Sequence, residues 1–419
     1  MEDLFYLALI WCGVLLGQCL ADRTKLTPVL WFLAFGAVLV NLGWLPRQSS
    51  EFIRGFSELG IILIMFALGF EENSAQFVRT IKKAWGIALF GALAPFLMAY
   101  YSTLYFWGDH SMSLMCGLAM TATAVSLTMV SLRAEKLHTS RAARGIMASA
   151  VIDGVSSMVL VAILVPIATG GGPTSIGEVG LIVVKAVVFF AVVTAAGMWI
   201  FPHNITRGPC SRIPIVNRYG VKHLMEFSRG EQATLVVLLL ALLIGIAAYV
   251  FGFHPAVGAY MAGLVLKEEY FHLQDDPPIN NYLETKRIVD NVAFSWIGPV
   301  FFVELGSKLV FDAEIFMSVI HHTAILTAGL MVAQITSAGL AARYIGKFEP
   351  RESVLIGLGM LGRAELAFVV MDIAYVQNAI ISQEAFYTLM FTAFILNVAV
   401  PVSIRLWKPY YMAGNHLPP

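Results

Sequence analysis

The run "IMASAVIDGVSSMVLVAIL", from Ile146 to Leu164, contains one charged residue, Asp153. As a helix rising 1.5 Å per residue it is about 28 Å long, close to the hydrocarbon thickness of a bilayer. Asp153 falls near its midpoint. A carboxylate there costs roughly 2.5–3.5 kcal/mol on insertion scales, so an acid at that depth marks either a satisfied packing contact or an ion or proton site. The residue that follows it is Gly154, which contributes no side chain.

The rest of the chain has the same solvent preference. Of 419 residues, 58% are hydrophobic and 13% charged, against about 25% charged in an ordinary soluble domain. The apolar runs are long and continuous rather than alternating, which predicts helices and not a barrel. The fold class expected is therefore an all-α polytopic membrane protein. The four cysteines, Cys12, Cys19, Cys116 and Cys210, have no metal-type spacing and predict neither a disulfide framework nor a zinc site. The N-terminal "MEDLFYLALIWCG" lacks a basic region and a cleavage site, and reads as the first membrane helix. The triple glycine in "TGGGPTS" (Thr169 to Ser175) precedes no phosphate-binding lysine. No motif for a soluble enzyme or for nucleic-acid binding emerges.

About thirteen spans are expected, near 3–20, 27–45, 56–71, 84–106, 112–132, 145–168, 178–201, 233–251, 253–267, 291–311, 322–342, 353–375 and 383–405. Between the last two of the middle group, residues 268–291 are expected to hold a surface amphipathic helix. The basic residues test the count. With the N-terminus outside, 22 of the 27 lysines and arginines fall in inner loops and the inner tail. Only Arg47 and Arg54 fall outside, with Lys185, Lys308 and Arg363 within spans. One miscounted helix would scramble that separation.

Thirteen spans divide into six, one linker and six, which sets the two halves in opposite orientations as inverted repeats. "LIMFALGFEEN" (Leu63 to Asn73) resembles "GPVFFVELGSK" (Gly298 to Lys308), and the interruptions "TATAVSLT" (Thr121 to Thr128) and "GLGMLGRAEL" (Gly357 to Leu366) occupy matching places in spans five and twelve. Interrupted helices at corresponding positions point to a midplane site.

Several polar groups compete for a role beside Asp153. Thr121, Thr123, Ser126 and Thr128 either bond back to helix carbonyls or, with carbonyls freed by an unwound crossing at Thr123, Ala124, Val125 and Ser126, offer hard oxygen donors to a small cation. Arg363 needs an internal counter-charge, which Glu365 or another acid could supply. Glu304 and Lys308 stand four apart, the favourable order for an ion pair on a helix, and are accessory candidates. His254 is expected to cap the helix that follows it. Gly13 and Gly17 form a small-residue spacing compatible with a dimer contact.

Along almost the whole chain these residues resemble the monovalent cation:proton antiporters, in the branch of bacterial sodium–proton exchangers and potassium-efflux antiporters. The blocks that carry the likeness are "LGIILIMFALGFEENSAQFVR" (Leu59 to Arg79), "GLAMTATAVSLTMVSLRAEKLHTSRAARGIMASAVIDGV" (Gly117 to Val155), "HPAVGAYMAGLVL" (His254 to Leu266), "IGPVFFVELGSKL" (Ile297 to Leu309) and "RESVLIGLGMLGRAELAFVV" (Arg351 to Val370). The resemblance implies one transporter domain over 1–419 with a scaffold bundle within 1–72 and 233–312, a linker helix at 178–201, and a transport core within 84–168 and 322–405. The core is expected to move like an elevator within a homodimer. The resemblance further implies a bacterial inner-membrane location with a cytoplasmic C-terminus, transported Na+ or K+ and H+, and no other cofactor. The regulatory domain that some potassium-efflux relatives append is not expected.

Three positions depart from the family pattern. Asp153 matches the first of two adjacent acidic positions, and the second is Gly154. A core lysine is replaced by Gln334. The proline-arginine-glycine of the second crossing reads "GRA", Gly362 to Ala364. Losing one negative and one positive partner leaves the local formal charge unchanged. The expectation is an electroneutral exchange in which Asp153 takes either a proton or a cation, with Gln334 and the hydroxyls near 123–128 bonding both states. Three other readings stay open: a non-transporting sensor or scaffold derived from an exchanger, a sodium-coupled anion symporter on the same framework, and a channel.

Overall fold

The computed structural model describes residues 1–71, 74–170, 176–199, 232–266, 271 and 281–413, with backbone alone at 74–83, 125, 150, 151, 176, 198, 199 and 281. The connection 202–231, most of 267–280, the triple-glycine turn beyond Gly170, and Cys210 lie outside these residues. Sequence expectations there are left as they stand.

Every regular element among the described residues is a helix, joined by turns and short loops, and one isolated bridge pairs two extended residues. In chain order the helices are α1 (Glu2–Thr24), α2 (Pro28–Asn41), α3 (Glu51–Glu71), α4 (Ser74–Trp107), α5 (His110–Ala119), α6 (Val125–Ala134), α7 (Arg141–Thr169) and α8 (Ile176–Trp199). Then come α9 (Ala233–Val250), α10 (Pro255–Val265), α11 (Asn281–Asn291), α12 (Gly298–Gly306), α13 (Ala313–Tyr344), α14 (Pro350–Gly359), α15 (Glu365–Asp372) and α16 (Gln383–Met412). Among the described residues, nine helical stretches are long and apolar enough to span a bilayer, and α2 and α10 are shorter apolar helices. The protein is an integral membrane protein. The stretches expected as spans five and twelve are each two short helices, α5 with α6 and α14 with α15. Of the segment 268–291, expected to hold a surface amphipathic helix, α11 (Asn281–Asn291) is described and most of 268–280 lies outside the described residues. Residues 282–306 run as one span, because α11 continues through the π-helical turn Val292–Trp296 into α12.

Helix starts are set by side chains that satisfy otherwise unbonded N–H groups. Asp109 accepts from Met112 N at 2.9 Å, Ser140 from Ala143 N at 3.1 Å, and Ser382 from Ala385 N at 3.2 Å. Glu349 and Glu352 form a reciprocal capping box on α14. His254 Nδ1 accepts from Ala256 N at 3.2 Å, so the expected cap on α10 is present. Pro95, Pro166, Pro401 and Pro409 sit inside α4, α7 and α16, as membrane helices tolerate.

The chain forms two compact units. The first comprises Met1–Val14, Gln48–Ser74 and Thr174–Glu304. Its core is the close pairing of α3 with α10, where backbone meets backbone without intervening side chains. A Cβ at Gly69 would overlap Tyr260 O, and one at Gly263 would overlap Phe66 O. Phe70, Phe271 and Tyr282 close one end with ring centroids 5.2–5.8 Å apart. Gly69→Ala is expected to force the two helices apart at a cost of about 1–3 kcal/mol, seen as a lower apparent melting temperature in detergent. An unchanged melting temperature would show that α3 and α10 do not pack this tightly.

The second unit comprises Leu15–Arg47, Ala75–Pro173 and Leu305–Pro419. Here α13 packs against α14 and α16, and α7 against α5. Ion pairs tie its charged end: Lys408 Nζ lies 2.8 Å from Glu135, and Arg141 lies 3.6 Å from Glu352 and stacks over Phe348. Both broken helices and Asp153 belong to this unit.

Candidate ion site

The two interruptions meet each other. Residues 120–124 and 360–364 leave helical geometry and run antiparallel, with Thr123 opposite Arg363. Ala124 N donates to Gly362 O at 2.9 Å, and Ala364 N donates to Ala122 O at 3.3 Å. Unwound backbone buried in a membrane protein must find partners inside the protein. Here each crossing supplies them to the other.

The sequence explains why the breaks fall where they do. Thr128 shares its hydroxyl proton between Ala124 O in its own first turn and Gly359 O at the end of α14. That contact ties α6 to α14. Gly359 and Gly362 bracket the second break, and a Cβ at Gly362 would come 3.0 Å from Asn397 Oδ1 and 3.2 Å from Ala124 Cβ. A side chain at this position would press on Asn397 and on the first crossing.

Asp153 reaches into the first crossing from α7. Its Oδ2 accepts from Thr123 N at 3.0 Å and from Thr123 Oγ1 at 2.6 Å. The carboxylate is 2% exposed, and its Oδ1 accepts no hydrogen bond among the described residues. One oxygen is thus fixed and the other is buried without a donor.

Arg363 is the corresponding charge in the second crossing, and it is 1% exposed. Its Nη1 and Nη2 donate to Gln334 Oε1 at 3.3 and 3.2 Å, and Gln334 Nε2 donates in turn to Gly91 O at 2.9 Å. The guanidinium therefore bonds Gln334 and not Glu365, the partner weighed from the sequence. A carboxamide suits this place because it accepts from the cation with one end and donates to a helix carbonyl with the other. Arg363 forms no direct ion pair with Asp153, but both charges are buried in the same unit, where a low dielectric strengthens the attraction between them.

Two groups were missed from sequence. Asn397 of α16 holds the backbone of Arg363 from both sides: its Oδ1 accepts from Arg363 N at 2.7 Å and its Nδ2 donates to Arg363 O at 3.2 Å. Asp153 does the same to Thr123 N from the helix following the first crossing. The two arrangements correspond, one anchor charged and one neutral. Asparagine in a long apolar helix was visible as "ILNVAV", but only the second crossing's position gives it meaning. Asn397→Leu is expected to leave both backbone groups of Arg363 without side-chain partners and to lower stability by about 2–4 kcal/mol. A melting temperature within a degree of the unsubstituted protein would contradict that. The second missed group is Asp372, buried where α15 passes into the π-helical turn Ile373–Gln377, with Gln377 Nε2 donating to its Oδ2 at 2.7 Å.

Other expected site residues fall in different places. Thr121 is buried and bonds back to Gly117 O at 2.9 Å. Val125 opens α6, and Ser126 is exposed. Glu365 stands half-buried in the first turn of α15, where the helix dipole favours an acid. Gly154 is half-buried. Glu304 lies in α12, which ends at Gly306, and Lys308 lies in the turn beyond it. A Cβ at Gly306 would overlap the backbone of Leu33, which fixes the small residue at that end. Glu304, also buried, accepts from Ser49 Oγ at 2.7 Å. Among the described residues no cluster of His, Cys, Asp and Glu could hold a transition metal. The oxygens gathered at Asp153 suit a hard monovalent cation or a proton instead.

Comparison with known proteins shows what the whole chain resembles. The chain is 25% identical over 407 residues to the "Na(+)/H(+)-K(+) antiporter GerN" of Bacillus cereus, covering 96% of each chain. It is 22% identical over 386 residues to the "Na(+)/H(+) antiporter" of Enterococcus hirae, covering 91% of each. Its fold matches the structure of the sodium proton antiporter MjNhaP1 from Methanocaldococcus jannaschii with a TM-score of 0.69 at 14% identity, over 99% of both chains. The transmembrane sodium/hydrogen exchanger model matches residues 9–407. The chain belongs to the sodium/hydrogen exchanger family.

Proposed function

We propose that this protein exchanges Na+ or K+ for H+ across a membrane, with Asp153 as the single site that either ion occupies. The observation that carries the reading is the buried carboxylate with one oxygen fixed by Thr123 and the other without a donor. A lone acid bonded only for packing would use both oxygens, because an unmet buried acceptor costs roughly 1–3 kcal/mol. The bound proton or cation supplies what Oδ1 lacks.

Charge explains the coupling. Arg363 and Glu365 offset each other in the local formal charge although they are not bonded. The charge that varies is then that of Asp153. Loaded with a proton or a monovalent cation, the site is neutral; unloaded, it carries one negative charge, costly to move through a low-dielectric barrier. One competing site thus gives one-for-one exchange, and the two loaded forms carry equal charge. The membrane potential, worth about 2.3 kcal/mol per charge per 100 mV, does no work on such a cycle.

The remaining parts of the reading are proposed on the same footing. Thirteen membrane segments follow if the nine long spans, α2, α10 and the two broken helices all cross. Two inverted six-helix repeats are supported by the correspondence of Thr123–Asp153 with Arg363–Asn397. The scaffold and transport-core division, the elevator motion, the homodimer and the bacterial inner membrane with an outer N-terminus rest on the family resemblance. Relatives named as Na+ or K+ antiporters support transport over a sensor, an anion symporter or a channel.

The test is proton movement in reconstituted vesicles when Na+ or K+ is added to one side. Cation-driven alkalinisation or acidification without net current is expected. No movement with any alkali cation would remove the transport reading. A current that scales with turnover would reject only electroneutrality.

A further inference from the structure

Ser157 lies one helical turn beyond Asp153 on α7 and three residues from Gly154, so it stands next to both on the helix surface. Its side chain is buried, at 1% exposure. Buried hydroxyls in a membrane helix ordinarily donate to the carbonyl four residues earlier. In the same unit Thr103, Thr121, Thr128 and Ser131 all do so, at 2.7–3.1 Å. Ser157 does not. Its Oγ has no hydrogen-bond partner among the described residues, and neither has Asp153 Oδ1. Two buried oxygens without partners therefore occupy adjacent positions on one helix face.

A proton and an alkali cation ask different things of such a pair. A proton needs one oxygen to bind, and Asp153 alone provides it. A sodium or potassium ion gives up a hydration shell and needs several hard oxygens in return. The neighbouring position 154 contributes no side chain. We infer that Ser157 Oγ is a ligand of the alkali cation held by Asp153, supplying coordination that the glycine at 154 cannot. A neutral oxygen adds coordination without adding charge, so the loaded site stays neutral and the exchange stays one-for-one. This inference rests on Asp153 being the shared ion site.

The experiment is calorimetric titration of Na+ into the purified full-length protein at fixed pH, with Ser157→Ala, Ser157→Thr, Ser157→Cys and Asp153→Asn measured beside it. Ser157→Ala is expected to weaken Na+ affinity about tenfold, equivalent to about 1.4 kcal/mol. The number of protons released per cation bound should not change, since Asp153 still gives up its proton. Ser157→Thr, which keeps the oxygen, should bind within about threefold of the unsubstituted protein. Ser157→Cys, similar in size but offering a soft sulfur, should lose as much as alanine and keeps the test decisive if the alanine variant is poorly folded. Unchanged affinity in Ser157→Ala or Ser157→Cys overturns the assignment, as does an equal loss in Ser157→Thr. Tight Na+ binding to Asp153→Asn would instead overturn the Asp153 site itself, so the two failures are distinguishable.

Discussion

Asp153→Asn should reduce cation-driven proton movement to the level of empty vesicles while leaving the protein folded. Asparagine has nearly the shape of aspartate, and its amide oxygen can still accept from Thr123 N and Oγ1, which approach Oδ2 at 3.0 and 2.6 Å. The crossing therefore keeps its anchor, as Asn397 already shows for the second crossing with a carboxamide. What disappears is the charge. An amide neither takes up a proton near neutral pH nor neutralises a sodium ion. Both loaded forms vanish together, and the expected loss of exchange is at least about 100-fold, the scale of losing a site worth several kcal/mol. The substitution removes one buried charge but also withdraws the acid that faces the buried Arg363, so a melting curve recorded beside the exchange assay separates loss of the site from loss of the fold. Turnover within twofold of the unsubstituted protein would place the ion site elsewhere, with Asp372 and Glu304 the next buried acids to test.

Arg363→Met is the second large effect and moves stability first. Methionine fills similar length and keeps the backbone bonds to Asn397, but it withdraws the cation coupled to Asp153 and leaves Gln334 Oε1 without its donors. Removing one member of a buried charge set costs about 3–5 kcal/mol when the other stays charged. The variant should melt well below the unsubstituted protein at a pH where Asp153 is ionised, and it should exchange poorly. The double variant isolates the cause. In the Asp153→Asn background no carboxylate is left to strand, so the same arginine substitution should cost about 1–3 kcal/mol less. Equal losses in both backgrounds would mean that Arg363 serves the packing of α13 and α14 and not the charge at Asp153.

How much of this the sequence reveals depends on the kind of signal. Long apolar runs and the midplane acid are strong one-dimensional signals, so the membrane class, the α7 helix around Asp153 and both interruptions could be read directly. The breaks were legible because glycines and clustered hydroxyls weaken a helix wherever they occur. Partner choice was harder. Arg363 and Glu365 are two apart in sequence, yet Arg363 lies in the extended crossing ahead of α15, and its bonds go to Gln334 in α13. Glu304 and Lys308 have helical spacing, but the helix ends at Gly306, and the close approach of the Leu33 backbone that requires a glycine there carries no signal in the local sequence. Asn397 carries no spacing motif at all. Its role exists only once the second crossing is folded.

Gln334 illustrates how one substitution reads differently in three dimensions. From the resemblance it stands where a lysine is expected, a loss of charge. In the structure it positions a charge instead, linking the Arg363 guanidinium to Gly91 O on α4. The cation in this core is thus Arg363 itself, held away from direct contact with the acid. Gln334 takes both guanidinium donors, and Asp153 Oδ1 accepts no hydrogen bond among the described residues.

Counting protons released per cation bound tests the shared-site account most directly. Sodium titrated into the purified protein, in buffers of different ionisation enthalpy at a pH where the site is protonated, should displace one proton for each ion bound, and Asp153→Asn should displace none. Sodium binding that releases no proton from the unsubstituted protein, or release that survives in Asp153→Asn, would contradict it.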